Sequence, residues 1–190
     1  MKVVGFIGSP RKSGNTAALV GEVLKGACDG GAETIAYHIN ELNIRGCQAC
    51  YKCQTKDGKC IQKDDMAGLY DEINSADAIV IGTPVYMAQV TSQTKTLIDR
   101  FFAFLYSSSE SDGNFKSKLG KKKTVTVFTQ GQPDPTLFSD CFNLTEGILS
   151  FIGFDVIKRI TSPGTRNQTD AKENTELMKN AYDAGVELTK

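Results

Sequence analysis

The sequence has no tryptophan and a single histidine, His38, and its 22 Lys+Arg are matched by 22 Asp+Glu. That balance leaves no net field to draw the chain to nucleic acid or to an anionic membrane, so any partner must be recognised locally. With one histidine and no Gly-x-Ser-x-Gly elbow, a hydrolytic triad has almost no residues to be built from. The Walker pattern Gly-x-x-x-x-Gly-Lys-[Ser/Thr] and the dinucleotide fingerprint Gly-x-Gly-x-x-Gly are both missing, which counts against ATP and Rossmann-type NAD binding. No apolar run reaches membrane-spanning length, and the apolar start meets a polar loop too soon for a signal-peptide core. The expectation is a cytoplasmic protein with no membrane partner.

Apolar runs of strand length recur at Val3–Gly8, Thr34–Ile39, Ala78–Gly82, Thr124–Thr129 and Phe154–Ile160. Between and after them apolar residues fall at helical spacing. The stripes are Leu19, Val20, Val23, Leu24 and Ala27; Met66, Leu69 and Ile73; Leu97, Ile98, Phe101, Phe102 and Leu105. Two later ones are Phe138, Cys141, Phe142, Thr145, Ile148, Leu149 and Ile152, then Leu177, Met178, Ala181 and Leu188. Five βα units with right-handed crossovers predict a single α/β domain over residues 1–190, a doubly wound five-stranded parallel sheet of order 2-1-3-4-5. Ser107–Lys123 breaks the rhythm: polar and glycine-containing, it reads as a lid or as a surface excursion.

Ligands of such sheets sit beyond the carboxyl ends of the strands. The first strand ends in Gly8-Ser9-Pro10-Arg11-Lys12-Ser13-Gly14-Asn15-Thr16, a turn into a helix that offers backbone N–H groups, a helix dipole, hydroxyls and one guanidinium. A phosphate monoester fits that inventory; helix capping by Ser13 or Asn15 is the plainer alternative. The third strand ends in Thr83-Pro84-Val85-Tyr86-Met87, with Lys95 and Asp99-Arg100 on the helix that follows. The fourth ends at Thr129-Gln130-Gly131-Gln132-Pro133-Asp134.

Gly-Ser-Pro-Arg-x-Ser-Gly-Asn-Thr resembles the FMN-phosphate loop of the NADPH-dependent FMN reductase family, whose fold is flavodoxin-like. Gly-Thr-Pro-Val-Tyr followed by Lys-x-x-x-Asp-Arg resembles that family again. The resemblance implies that Ser9, Arg11, Ser13, Asn15 and Thr16 hold the FMN phosphate. It also implies that Pro84, Val85, Tyr86 and Met87, with Thr129, Gln130 and Gly131, meet the isoalloxazine. A flavodoxin carrier is disfavoured, because its phosphate loop normally reads Thr/Ser-x-Thr-Gly-x-Thr.

Cys47, Cys50, Cys53 and Cys60 form Cys-x2-Cys-x2-Cys-x6-Cys within a segment at residues 46–61. In a reducing compartment such a cluster points to metal or redox work. One loop can present all four thiolates to a [4Fe-4S] cubane, whereas zinc sites usually separate two Cys-x2-Cys pairs more widely. The spacing is similar to that of the iron-sulfur flavoproteins, a branch of the same family, which implies electron transfer between FMN and a cluster. The alternative is an NAD(P)H-dependent FMN or quinone reductase with free or structural cysteines. In either case the cofactor carries the chemistry and no acid, base or nucleophile is assigned. A ferredoxin, a quinone or NAD(P)H would be the redox partner, and the resemblance implies a homodimer or homotetramer. Cys28 and Cys141 read as core residues, Asp64-Asp65 as helix caps, and Lys121-Lys122-Lys123 as a solvated lead-in to a strand.

Overall fold

The computed structural model describes residues 1–107 and 114–190. In chain order the elements are β1 (Lys2–Ile7), α1 (Asn15–Asp29), β2 (Glu33–His38), α2 (Met66–Ser75), β3 (Ala78–Tyr86), β4 (Gln89–Val90) and α3 (Ser92–Arg100). Then come β5 (Leu105–Ser107), β6 (Phe115–Ser117), β7 (Lys122–Thr129), α4 (Ser139–Ile152), β8 (Phe154–Ser162), α5 (Asp170–Glu173) and α6 (Thr175–Leu188). The main sheet runs β2-β1-β3-β7-β8 with every pair parallel, which is the 2-1-3-4-5 order of the five long strands.

The central strands read as continuous apolar runs because both their faces are covered. One face carries Phe6, Ile79 and Ile81 against Met66, Leu97, Phe101 and Leu149. The other carries Val3, Val80, Val125 and Val127 against Leu19, Val20 and Val23 of α1 and Ala181 and Leu188 of α6. A methyl group at Gly82 would run into Val20, and one at Gly8 into Thr94, so these glycines let α1 and α3 approach the strand ends.

Several expectations change. The stripe from Leu97 to Leu105 is not one helix: α3 stops at Arg100, Phe101–Phe104 tightens into a 3₁₀ turn, and Leu105 opens a strand. Core packing of the aromatics decides this, with Phe101 5.2 Å from Phe154 and 5.8 Å from Phe104 between ring centroids. Part of the Ser107–Lys123 segment is regular, since β5 and β6 pair antiparallel from Leu105↔Ser117 to Ser107↔Phe115. Its residues 108–113 lie outside those described. Cys28 is exposed on the outer side of α1, whereas Cys141 is buried. Ile148 is exposed too, along with Leu144 and Phe151 on α4. Lys122 is not solvated: its stem is buried and its ammonium donates to the carbonyls of Asn74 and Ala76 at the end of α2. Among the described residues no helix is long and apolar enough to cross a membrane.

Candidate functional site

Register brings three loops together. Ile7 pairs with Gly82, and Pro84 with Thr129, so β1, β3 and β7 end at one edge of the sheet. There Ser9, Arg11, Gly14, Asn15 and Thr16 meet Pro84, Val85 and Tyr86, and Thr129, Gln130 and Gly131, around a cavity of about 80 Å³. Among the described residues no carboxylate lines it, and Arg11 is the charged one.

Helix α1 begins here without a side-chain cap. Its N-cap is Gly14 in an extended conformation, no acidic residue sits in the first turn, and neither Ser13 nor Asn15 caps. The first-turn N–H groups therefore remain available at the positive end of the dipole. Asn15 is otherwise engaged: its Nδ2 donates to the Asn167 carbonyl at 2.7 Å and its Oδ1 accepts from the Ala171 N–H at 2.9 Å. Thr16 and Thr129 share a hydroxyl hydrogen bond of 2.8 Å. Buried Gln130 donates from Nε2 to the carbonyls of Gln132 and Asp134, which leaves its Oε1 without a partner among the described residues.

Thr165 joins the cavity from the loop after β8, and its N–H and hydroxyl both donate to the Gln130 carbonyl. Sequence reading missed it. The available signal was topological, since the fifth strand of a 2-1-3-4-5 sheet lies beside the fourth. Two expected residues do not line the cavity. Ser13 is exposed, and Met87 is 98% exposed at the tip of the β3–β4 hairpin. That hairpin pairs Tyr86 with Gln89 and turns through Met87 at φ 49° and Ala88 at φ 62°, a two-residue loop with both residues left-handed. Below it, the Thr91 hydroxyl donates to the Gly8 carbonyl at 2.7 Å and accepts from the Thr94 N–H, locking the loop after β1 to the segment between β4 and α3.

The cysteine segment lies between β2 and α2. Cys47 and Cys50 are exposed, Cys60 is half-buried and Cys53 is buried. No three Cys, His, Asp or Glu side chains among the described residues are gathered as a metal site. Four thiols on one segment are the donor type of a thiolate-bound cluster, but their placement does not bring them to one centre among the described residues. Arg100 donates to Cys60 Sγ at 3.4 Å, whereas Gln54 Nε2, 3.5 Å from Cys53 Sγ, spends its two N–H groups on the carbonyls of Phe102 and Leu105 at 3.0 Å and 3.1 Å. Burial alone would raise the Cys60 thiol, but the Gln62 N–H, the Tyr70 hydroxyl and the Arg100 guanidinium outweigh it and hold the pKa low.

Asp64 is more than a helix cap. It forms a buried, bidentate pair with Arg100, at 2.5 Å and 3.1 Å. It also accepts the N–H groups of Arg45 and Met66. Asp65 accepts from Asn43 and makes no side-chain cap to α2. Lys118 anchors the other end of the segment by donating to the carbonyls of Cys53, Gly58 and Ala103.

Residues 1–132, which carry the first three loops and all four clustered cysteines, match the family model described as NADPH-dependent FMN reductase. The chain belongs to that family. Within it, the chain is similar to an iron-sulfur flavoprotein of Methanosarcina thermophila, 38% identical over 139 residues covering 73% of this chain and 70% of that one. It is 40% identical over 104 residues to an iron-sulfur flavoprotein of Archaeoglobus fulgidus, covering 55% of this chain and 47% of the relative. The chain thus spans about half the length of that relative. Among solved structures, the NAD(P)H:quinone oxidoreductase from Methanothermobacter marburgensis superposes with a TM-score of 0.73 at 15% identity, over 99% of this chain and 98% of that one. That likeness extends the shared fold beyond the matched 132 residues of this FMN reductase family member.

Proposed function

We propose that the protein is an FMN-dependent oxidoreductase of the iron-sulfur flavoprotein kind, binding the FMN phosphate in the cavity at the ends of β1, β3 and β7. The observation that carries this reading is the uncapped N-terminus of α1 opening on a small cavity with an arginine and, among the described residues, no carboxylate. Ser9, Arg11 and Thr16 and the first-turn N–H groups would hold the phosphate. Ser13 stands at the rim, and Asn15 positions the loop by its bonds to Asn167 and Ala171. The isoalloxazine would lie along Pro84–Met87 and Thr129–Gly131. Bound there, FMN supplies the electron transfer, while the loops orient it and set its electronics.

Cys47, Cys50, Cys53 and Cys60 would hold a [4Fe-4S] cluster, which supplies one-electron transfer when bound. The names of the relatives and the Cys-x2-Cys-x2-Cys-x6-Cys spacing support this. NAD(P)H, a quinone or a ferredoxin is the proposed redox partner, in a cytoplasmic homodimer or homotetramer with Tyr86 and Met87 near the subunit contact. Calorimetric titration with FMN and with riboflavin tests the phosphate site. The charge-assisted hydrogen bonds predict FMN binding about 10- to 100-fold more tightly; equal affinities would remove the assignment.

A further inference from the structure

Resting on the phosphate reading above, we propose that Thr91 is a positioning residue for FMN: its hydroxyl turns the Gly8–Ser9 peptide so that the Ser9 N–H is presented to the phosphate. The bonding of that hydroxyl is fully determined. Its one proton goes to the Gly8 carbonyl at 2.7 Å, so it must accept in its other two contacts, from the Thr94 N–H at 3.2 Å and from the Thr94 hydroxyl at 2.9 Å. Thr91 is 1% exposed and Thr94 is fully buried, so water does little to loosen these bonds. Gly8 is held from its other side as well, because its N–H donates to the Gly82 carbonyl at 2.7 Å. A Cβ on Gly8 would come within 1.8 Å of the Thr94 hydroxyl oxygen, so glycine is what fits against this clamp.

A trans peptide is planar and points its C=O and N–H in opposite directions. With the Gly8 carbonyl fixed on Thr91, the Ser9 N–H faces away from it and has no partner among the described residues. Ser9 is 5% exposed and lines the cavity beside the open N-terminus of α1. An unpaired N–H in so buried a residue is costly, and a phosphate oxygen is the acceptor that suits a cavity with Arg11 in its wall. Packing alone would not require a hydroxyl at position 91, since valine has the same shape. Capping of α3 accounts for the contact with the Thr94 N–H but not for the donation to Gly8. Thr91 does not itself line the cavity, so it acts on a ligand through the Gly8–Ser9 peptide. Its own N–H donates to the Thr83 hydroxyl at 3.2 Å, which ties the same residue to the strand end before Pro84.

The test is calorimetric titration of wild-type protein, Thr91→Val and Thr91→Ser with FMN and with riboflavin, which lacks the phosphate. Thr91→Val keeps the shape and removes the hydroxyl, freeing the peptide to turn. It should weaken FMN by about tenfold, the worth of one charge-assisted hydrogen bond, and leave riboflavin within about twofold of wild type. Thr91→Ser keeps the hydroxyl and should restore the wild-type preference for FMN. An unchanged preference in Thr91→Val, equal losses of both ligands, or a serine variant as weak as the valine one overturns the role of Thr91 while leaving the phosphate site in place. If Thr91→Val does not fold, Thr91→Cys puts a weaker donor in the same place, and an unchanged preference for FMN in that variant overturns the role alone. Wild-type protein that binds both ligands equally overturns the phosphate reading, and this role with it.

Discussion

Arg11 is the charged side chain on the cavity at the sheet edge, and its own backbone N–H is held by the Ser9 hydroxyl at 3.2 Å. Replacing it by alanine removes a cation without disturbing that turn contact. Arg11→Ala should weaken FMN by about tenfold and leave riboflavin nearly unchanged, measured by fluorescence quenching; equal losses would place Arg11 against the ring instead. At Asp64, burial would raise the carboxyl, but the Arg100 guanidinium and the backbone N–H groups of Arg45 and Met66 outweigh it and hold the pKa below the ordinary 3.8. The stabilisation is therefore complete above pH 3.8 and lost as pH falls through the lower folded value. Urea unfolding across that range should show stability dropping with acid in the wild type and a flatter profile in Asp64→Asn. Asp64→Ala, which strands Arg100 in the interior, should cost about 3–5 kcal/mol at neutral pH. None of this pairing was legible in the sequence. Asp64 and Arg100 are 36 positions apart, and Asp64-Asp65 before an apolar stripe carries the same signature as an ordinary helix start. Lys122 was misread for a related reason, because a charged tip hides the burial of a long stem.

At the scale of elements, the five long strands were legible because burial on both faces makes each an apolar run, and their order followed from the handedness of crossovers. The β5–β6 hairpin was not, since its short strands sit in a polar segment and gain their place by capping the Phe101–Phe104 turn, where the Lys118 N–H donates to the Phe104 carbonyl. The β3–β4 hairpin was equally hidden. Its turn uses Met87 and Ala88 in left-handed conformations where asparagine and glycine are the usual choice. Met87→Asn with Ala88→Gly should relieve that strain and stabilise the protein by about 1–2 kcal/mol. A higher urea midpoint with an unchanged slope would show it; a lower midpoint would contradict the turn geometry. The strain lies next to Tyr86 at the proposed flavin edge, which is where backbone cost is commonly tolerated for function.

For the molecule as a whole, Leu144, Ile148 and Phe151 leave an apolar band on α4 at 63%, 43% and 53% exposure, the kind of surface that assembly covers. The helical stripe was readable in the sequence, but how much of it the core would use was not, because that depends on where α4 docks. Phe151→Asp should shift the protein toward a monomer in light scattering without altering FMN affinity, and an unchanged mass would move the contact elsewhere. The cavity at the sheet edge is lined by three loops that the sequence had already singled out, with Thr165 added by the fold. The cysteine segment is where sequence and structure part, since its spacing points to one centre and the described thiols are not gathered there. Flavin and iron determined together on anaerobically reconstituted protein address that point most directly. The account predicts one FMN and about four irons per chain, with iron lost in Cys50→Ala and retained in Cys141→Ala. Full FMN with only trace iron would contradict it and leave a simple flavin reductase.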